Sequence, residues 1–128
     1  MSVEELLARD RFAARMGARL IVVEPDRVVV EMQVSDHHRE ADGGLATGAL
    51  FSLADCAMSL ISNADGTALA VATHFTRRGR GMDAAAVRAD IRPVMAAGKR
   101  EVTWRAVVTA DGEQVGAFTG TTLRVGQR

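Results

Sequence analysis

The sequence predicts an α+β domain: an antiparallel five- to six-stranded sheet curled around one long central helix, with a short helix at the N-terminus. Three observations carry that expectation. Residues 45–62, LATGALFSLADCAMSLIS, form a long apolar run whose hydrophobic positions recur at helical spacing. From Thr67 onward the chain is rich in β-branched residues and takes a strand-like pattern. Asp111-Gly112 sits between two such runs, where a two-residue hairpin turn is expected. A chain of 128 residues makes a single domain, 1–128, large enough for a core and too short for a second.

Taken in order, Ser2 followed by Glu5 fits a capping box and predicts one amphipathic helix over 3–15. Its apolar positions are Leu6, Leu7, Phe12, Ala13 and Met16. Next, ARLIVVEPDRVVVEMQV places two β-branched runs either side of Pro25-Asp26, the pattern of a hairpin. Residues 36–46, DHHREADGGLA, are a polar loop. The long helix follows over 47–62 and stops near Asn63-Ala64-Asp65-Gly66. Four strands are expected near 67–77, 83–93, 99–110 and 113–125. In the last, Val115, Ala117, Thr119, Thr121, Leu123 and Val125 fall on one face.

On the long helix, Leu50, Leu53, Ala54, Ala57, Met58 and Ile61 should meet the sheet. Ser52, Asp55, Ser59 and Ser62 share the opposite stripe at spacings of three and four. Periodicity alone leaves that stripe open as a solvated flank or as a face turned toward a crevice or a second subunit. Asp55 is the one side chain in 45–62 that is charged at neutral pH, and no Lys or Arg lies within a helical turn of it. A sheltered, unpaired carboxylate is costly, so either a distant partner satisfies it or chemistry uses it. A sheet this small also has open edges. Joining two sheets edge to edge in a twofold dimer would remove one edge from each. It would also bring loop 36–46 of one subunit against the Asp55 face of the other.

Composition excludes several classes. Formal net charge is zero, which argues against nucleic acid or an anionic membrane as the main partner. The single cysteine, Cys56, rules out an intrachain disulfide and fits a reducing compartment. The N-terminus is polar, no run suits a bilayer span, and a cytoplasmic location is expected. His37-His38 is not at metal-ligand spacing and reads as an exposed loop pair; no metal or cofactor is expected. His74 and Trp104 read as core or interface residues, and Cys56 as a small core filler. Arg77, Arg78 and Arg80 read equally as a solubilising turn or a clamp for phosphates. Gly43-Gly44 lacks the remainder of a nucleotide-binding loop.

The stretch GGLATGALFSLADCAMSLISNADG resembles the central helix of the hotdog-fold thioesterases, in particular the phenylacetate-pathway, PaaI-like group. Leu53-Ala54-Asp55 and Asn63 match that group's pattern without a gap. The resemblance implies a hotdog enzyme hydrolysing acyl-CoA, with aryl or medium-chain acyl groups expected, working as a homodimer or homotetramer with sites at the dimer seam. It implies that Asp55 is nucleophile or general base, that Thr47 and Gly48 supply amide donors to the thioester carbonyl, and that Thr73 assists. A helix N-terminus suits that donor role on physical grounds alone, since its first N–H groups are unpaired. Implied substrate contacts fall on Ala46 and Asn63, and the phosphates of coenzyme A are what the clamp reading of Arg77, Arg78 and Arg80 would bind. Two positions depart: the family His falls on Ala46, and the upstream loop Asn falls on Glu40. Three readings follow: Glu40 has become a base acting with Asp55, His37 or His38 folds back as the missing imidazole, or hydrolysis is lost. The last corresponds to a non-catalytic module binding acyl-CoA or a partner chain. A hydratase or dehydratase fits less well, because it wants a His where Ala46 stands.

Overall fold

The computed structural model describes residues 1–64, 66–97 and 100–127. Asp65, expected in the helix stop, and residue 99, where a strand was expected to begin, lie outside them.

The single N-terminal helix expected over 3–15 is two helices, α1 (Val3–Arg9) and α2 (Arg11–Met16). Ser2 caps α1 as expected, accepting from the Glu5 N–H at 3.1 Å. Asp10 makes the break. Its carboxylate accepts from the Ala13 N–H at 2.9 Å, and its extended backbone ends one helix and starts the next. A short acid that can hold a backbone N–H favours a cap over a helix interior.

Strands β1 (Ala18–Glu24) and β2 (Arg27–Gln33) form the hairpin about Pro25-Asp26. The central helix α3 spans Thr47–Asn63. Then come β3 (Gly66–Arg77), β4 (Ala86–Ala97), β5 (Glu101–Ala110) and β6 (Glu113–Gln127). All pairings are antiparallel, in the order β1-β2-β4-β5-β6-β3. Strand β4 starts later than expected because Asp111 takes the Ala85 and Ala86 N–H groups at 2.9 and 3.0 Å, holding the approach as a turn. It continues past Pro93, whose missing N–H is absorbed by a register shift between Pro93 and Met95. Asp111 and Gly112 both have positive φ, 49° and 87°, as a hairpin with a primed turn demands.

All six residues expected to face the sheet from α3 are buried. Helices α1 and α2 pack on another flank of α3, burying Cys56 and Leu60 as well. In β6 the inward face is Phe118, Gly120 and Thr122. Residues 117, 119, 121 and 123 turn away from the helix. Val115 does not share their face: it is the extra residue where the β5–β6 register shifts, and it is buried. A side chain at Gly120 would place its Cβ 2.4 Å from the Met58 sulfur, so glycine lets helix and sheet approach there. Trp104 is a core residue, its Nε1–H donating to Thr122 Oγ1 at 2.9 Å. His74, expected in the core or an interface, is exposed in this chain. Strand β3 ends the sheet, leaving Leu69 and Val71 more than half exposed. No described helix is long and apolar enough to cross a membrane.

Candidate active site

The site begins with an uncapped helix. Ala46 occupies the N-cap of α3 with φ −70° and ψ 133°, and a methyl group accepts no hydrogen bond. Its carbonyl takes the Ala49 and Leu50 N–H groups at 3.0 and 3.2 Å. The N–H groups of Thr47 and Gly48 find no acceptor among the described residues. Two free donors thus stand at the positive end of a 17-residue helix.

Loop 36–46 is built around that end. Arg39 staples it, donating to the carbonyls of Gly43, Gly81 and Ala84 at 2.7, 3.1 and 2.9 Å. The Ala46 N–H donates to the His38 carbonyl at 2.8 Å. Arg77 donates to Thr47 Oγ1 at 3.0 Å and to the Gly79 carbonyl at 2.6 Å, and faces Glu40 at 3.8 Å. Arg80 is ion-paired with Asp42, whose carboxyl is held below its usual range first by the Gly44 N–H and then by Arg80. Of the three arginines, two are therefore engaged by their own loop. Arg78 is exposed, with no side-chain partner among the described residues.

A cleft of about 400 Å³ opens between this end of α3 and α2. Phe12 and Arg15 line it from α2, His38 and Ala46 from the loop, and Gly48 and Ser52 from α3. Asp55 lies three residues beyond Ser52 on the same helix face. Its carboxylate is half-buried and has neither a hydrogen-bond donor nor a cation among the described residues. Burial raises its pKa, and the charge of Asp10 raises it further. The neighbouring Cys56 thiol is pushed up to about 12, mainly by burial, so it stays neutral and unreactive. The serine stripe is shorter than expected: Ser62 is buried, with its hydroxyl donating to the Met58 carbonyl at 2.6 Å.

The expected site residues fall into separate places. Ala46, Thr47, Gly48, Glu40 and Arg77 gather at the amide end. Asp55 is eight residues further along the helix, about 12 Å at 1.5 Å per residue. Thr73 pairs with Gly120 on β6, against which Met58 packs, but is itself exposed on the edge strand β3. Asn63 sits at the far end, donating to the Ser59 carbonyl at 2.8 Å and accepting from the Ala68 N–H at 2.9 Å. Its carboxamide ties the end of the helix to the start of β3. Glu40 and Asp55 do not meet within one chain.

Two features escaped the sequence reading. His38, read chiefly as half of an exposed pair and otherwise as a replacement imidazole, is 8% exposed; both it and the exposed His37 line the cleft, and which of them turns inward was not legible. The α2 wall was hidden because a single straight helix was expected. Asp10, a better cap than helix residue, was the available signal.

Against solved structures, the chain superposes on a single-residue variant of the phenylacetic acid degradation protein PaaI from Thermus thermophilus. Identity is 31%, the TM-score 0.84, and the match covers 91% of this chain and all of that one. The chain belongs to the PaaI-like hotdog thioesterase family. The PaaI protein of the E. coli phenylacetic acid degradation operon shares the hotdog fold at 23% identity and TM-score 0.91, over 98% of this chain and 92% of that one. So does a Streptococcus mutans protein solved with acetyl-CoA bound, at 22% identity and TM-score 0.79, over 87% and 90%. No family model and no curated protein sequence matches. Within the hotdog frame, α3 is the enclosed helix, and its uncapped end and Asp55 lie on the flank that the sheet leaves open.

Proposed function

We propose that the chain hydrolyses acyl-CoA thioesters, with Asp55 as general base. One observation carries the reading: on one helix, a half-buried carboxylate without a partner among the described residues accompanies two N-terminal amides that are likewise unpaired among them. Those groups suit the two needs of the reaction. Asp55 takes a proton from water, and the oxygen attacks the acyl carbon. The Thr47 and Gly48 N–H groups hold the oxyanion that forms. Collapse breaks the C–S bond, the thiolate takes up a proton, and a carboxylic acid and free coenzyme A result. The raised pKa of Asp55 strengthens it as a base.

The spacing of about 12 Å along one helix means that one carbonyl cannot use both ends of the same copy. Two antiparallel copies of α3 solve this, each carboxylate facing the other's amides. The exposed β3 edge, with Leu69 and Val71, is the natural place for a second copy to continue the sheet. The proposal therefore includes a homodimer, which can pair again into a homotetramer. Thr73 would hold the water, Glu40 would stand beside the amides, and Arg78 would meet coenzyme A phosphates. The apolar cleft against α2 would take an aryl or medium-chain acyl group. The setting would be the cytoplasm.

The alternative is a binder without turnover, favoured by Ala46 and by a Glu40 that faces Arg77. Thiol release from a panel of acyl-CoAs separates the two. Asp55→Ala should lower turnover by at least about 100-fold, the usual worth of a general base. Equal turnover in both proteins would sink the role of Asp55, and tight binding with no turnover in either would establish the binder.

A further inference from the structure

We propose that His38 is a third hydrogen-bond donor at this site, positioning the acyl carbonyl oxygen against the Thr47 and Gly48 amides. The inference deepens the thioesterase reading and rests on it. His38 is almost fully buried yet belongs to the cleft wall. Its Nδ1 accepts the Ser35 backbone N–H at 3.1 Å, with Ser35 Oγ at 3.4 Å. A backbone amide can only donate, so Nδ1 carries the lone pair and the neutral ring carries its proton on Nε2. Nε2 has no partner among the described residues, and it is not among the sealed polar atoms. A ring fixed in this way presents an N–H to the cleft and no free lone pair. That excludes it as a base or a metal ligand in this tautomer, and no cluster of metal-binding groups surrounds it among the described residues.

The ring is also held in register with the helix end. The His38 carbonyl accepts the N–H of Ala46, the residue immediately before Thr47. That bond ties the loop residue carrying the imidazole directly to the residue that precedes the free amides. The complementary ligand group is a hydrogen-bond acceptor without a proton, which a thioester carbonyl provides and a thiol or hydrocarbon chain does not. Adjacent His37 also lines the cleft, but it is exposed and makes no comparable bond among the described residues.

The test compares wild type, His38→Ala and His38→Gln by thiol release, with circular dichroism melting as the control for folding. His38→Ala should lower kcat by about 100-fold, as loss of one oxyanion donor does, with KM changed far less. His38→Gln, which keeps an N–H donor at similar reach, should recover part of the loss. Unchanged kcat in a folded His38→Ala protein would overturn the proposal. A second readout does not need turnover. In ¹⁵N-labelled wild type, the long-range imidazole spectrum should show His38 protonated on Nε2. Its Nε2 signal should move as S-phenacyl-CoA, a ketone that cannot be hydrolysed, reaches saturation. A proton on Nδ1, or an Nε2 signal that stays fixed with the ketone bound, overturns the proposal even if turnover is found. An Nε2 shift in a protein that hydrolyses nothing upholds the donor and discards only the hydrolase reading.

Discussion

Replacing Ala46 by aspartate should make the protein more stable and less active at once. The backbone at position 46 already has N-cap geometry, so the new carboxylate needs no rearrangement to accept the Gly48 N–H. A missing cap is typically worth about 1 kcal/mol, and a negative charge at a helix N-terminus adds roughly 0.5 kcal/mol. No acidic residue occupies the first turn of α3, so neither contribution is already present. For a domain of this length, about 1.5 kcal/mol corresponds to a rise in Tm of roughly 5 °C. The same bond occupies a donor that the oxyanion requires, so kcat should fall by about 100-fold. The assay pairs thermal melting, at fixed protein concentration because an oligomer's Tm depends on it, with thiol release. A stabilised variant with undiminished kcat would show that the amide end of α3 is not where the oxyanion forms. A destabilised variant would show that the Gly48 N–H is not free.

Three further outcomes are expected. Asp10→Asn keeps the α2 cap but removes the charge that helps to raise the Asp55 pKa, so Asp55 should ionise at lower pH. The acid limb of kcat/KM should move down; an unmoved or rising limb in the pH–rate profile would contradict this. Glu31 is buried between Arg88 and Arg19, whose hydrogen bonds at 2.7 and 3.0 Å lower its pKa, Arg88 contributing most. That stability is present above the ordinary carboxylate range and is lost as pH falls through the lowered value. Melting of wild type should therefore decline more steeply with acid than melting of Glu31→Gln; parallel declines would count against it. Gly120→Ala drives a methyl into the Met58 sulfur and should cost about 1–3 kcal/mol in urea unfolding, with partial recovery when Met58→Ala is added. Strictly additive effects of the two changes would contradict direct contact.

Much of this was legible along the chain because it depends on neighbours in sequence. The helix 47–62 came from apolar spacing, and the last hairpin from Asp111-Gly112, whose positive φ angles few other pairs accept. The isolation of Asp55 could also be read, since any partner within a helical turn would have been visible. What failed involved competition between local groups or contacts distant in sequence. The break at Asp10 depended on a side chain outbidding the helix for one N–H. The late start of β4 depended on Asp111, 25 residues away.

Sequence by itself determined the central helix, its sheet-facing side and the presence of the six strands, because periodicity records which face of an element avoids water. It also marked Asp55 as a charge without a local excuse. Tertiary structure alone decided that Asp55 finds no distant cation among the described residues, that Arg77 and Arg80 are absorbed by their own loop, and that His38 turns inward. Each of those outcomes is a pairing between groups that share no turn of the chain, and only the folded packing chooses among the partners available.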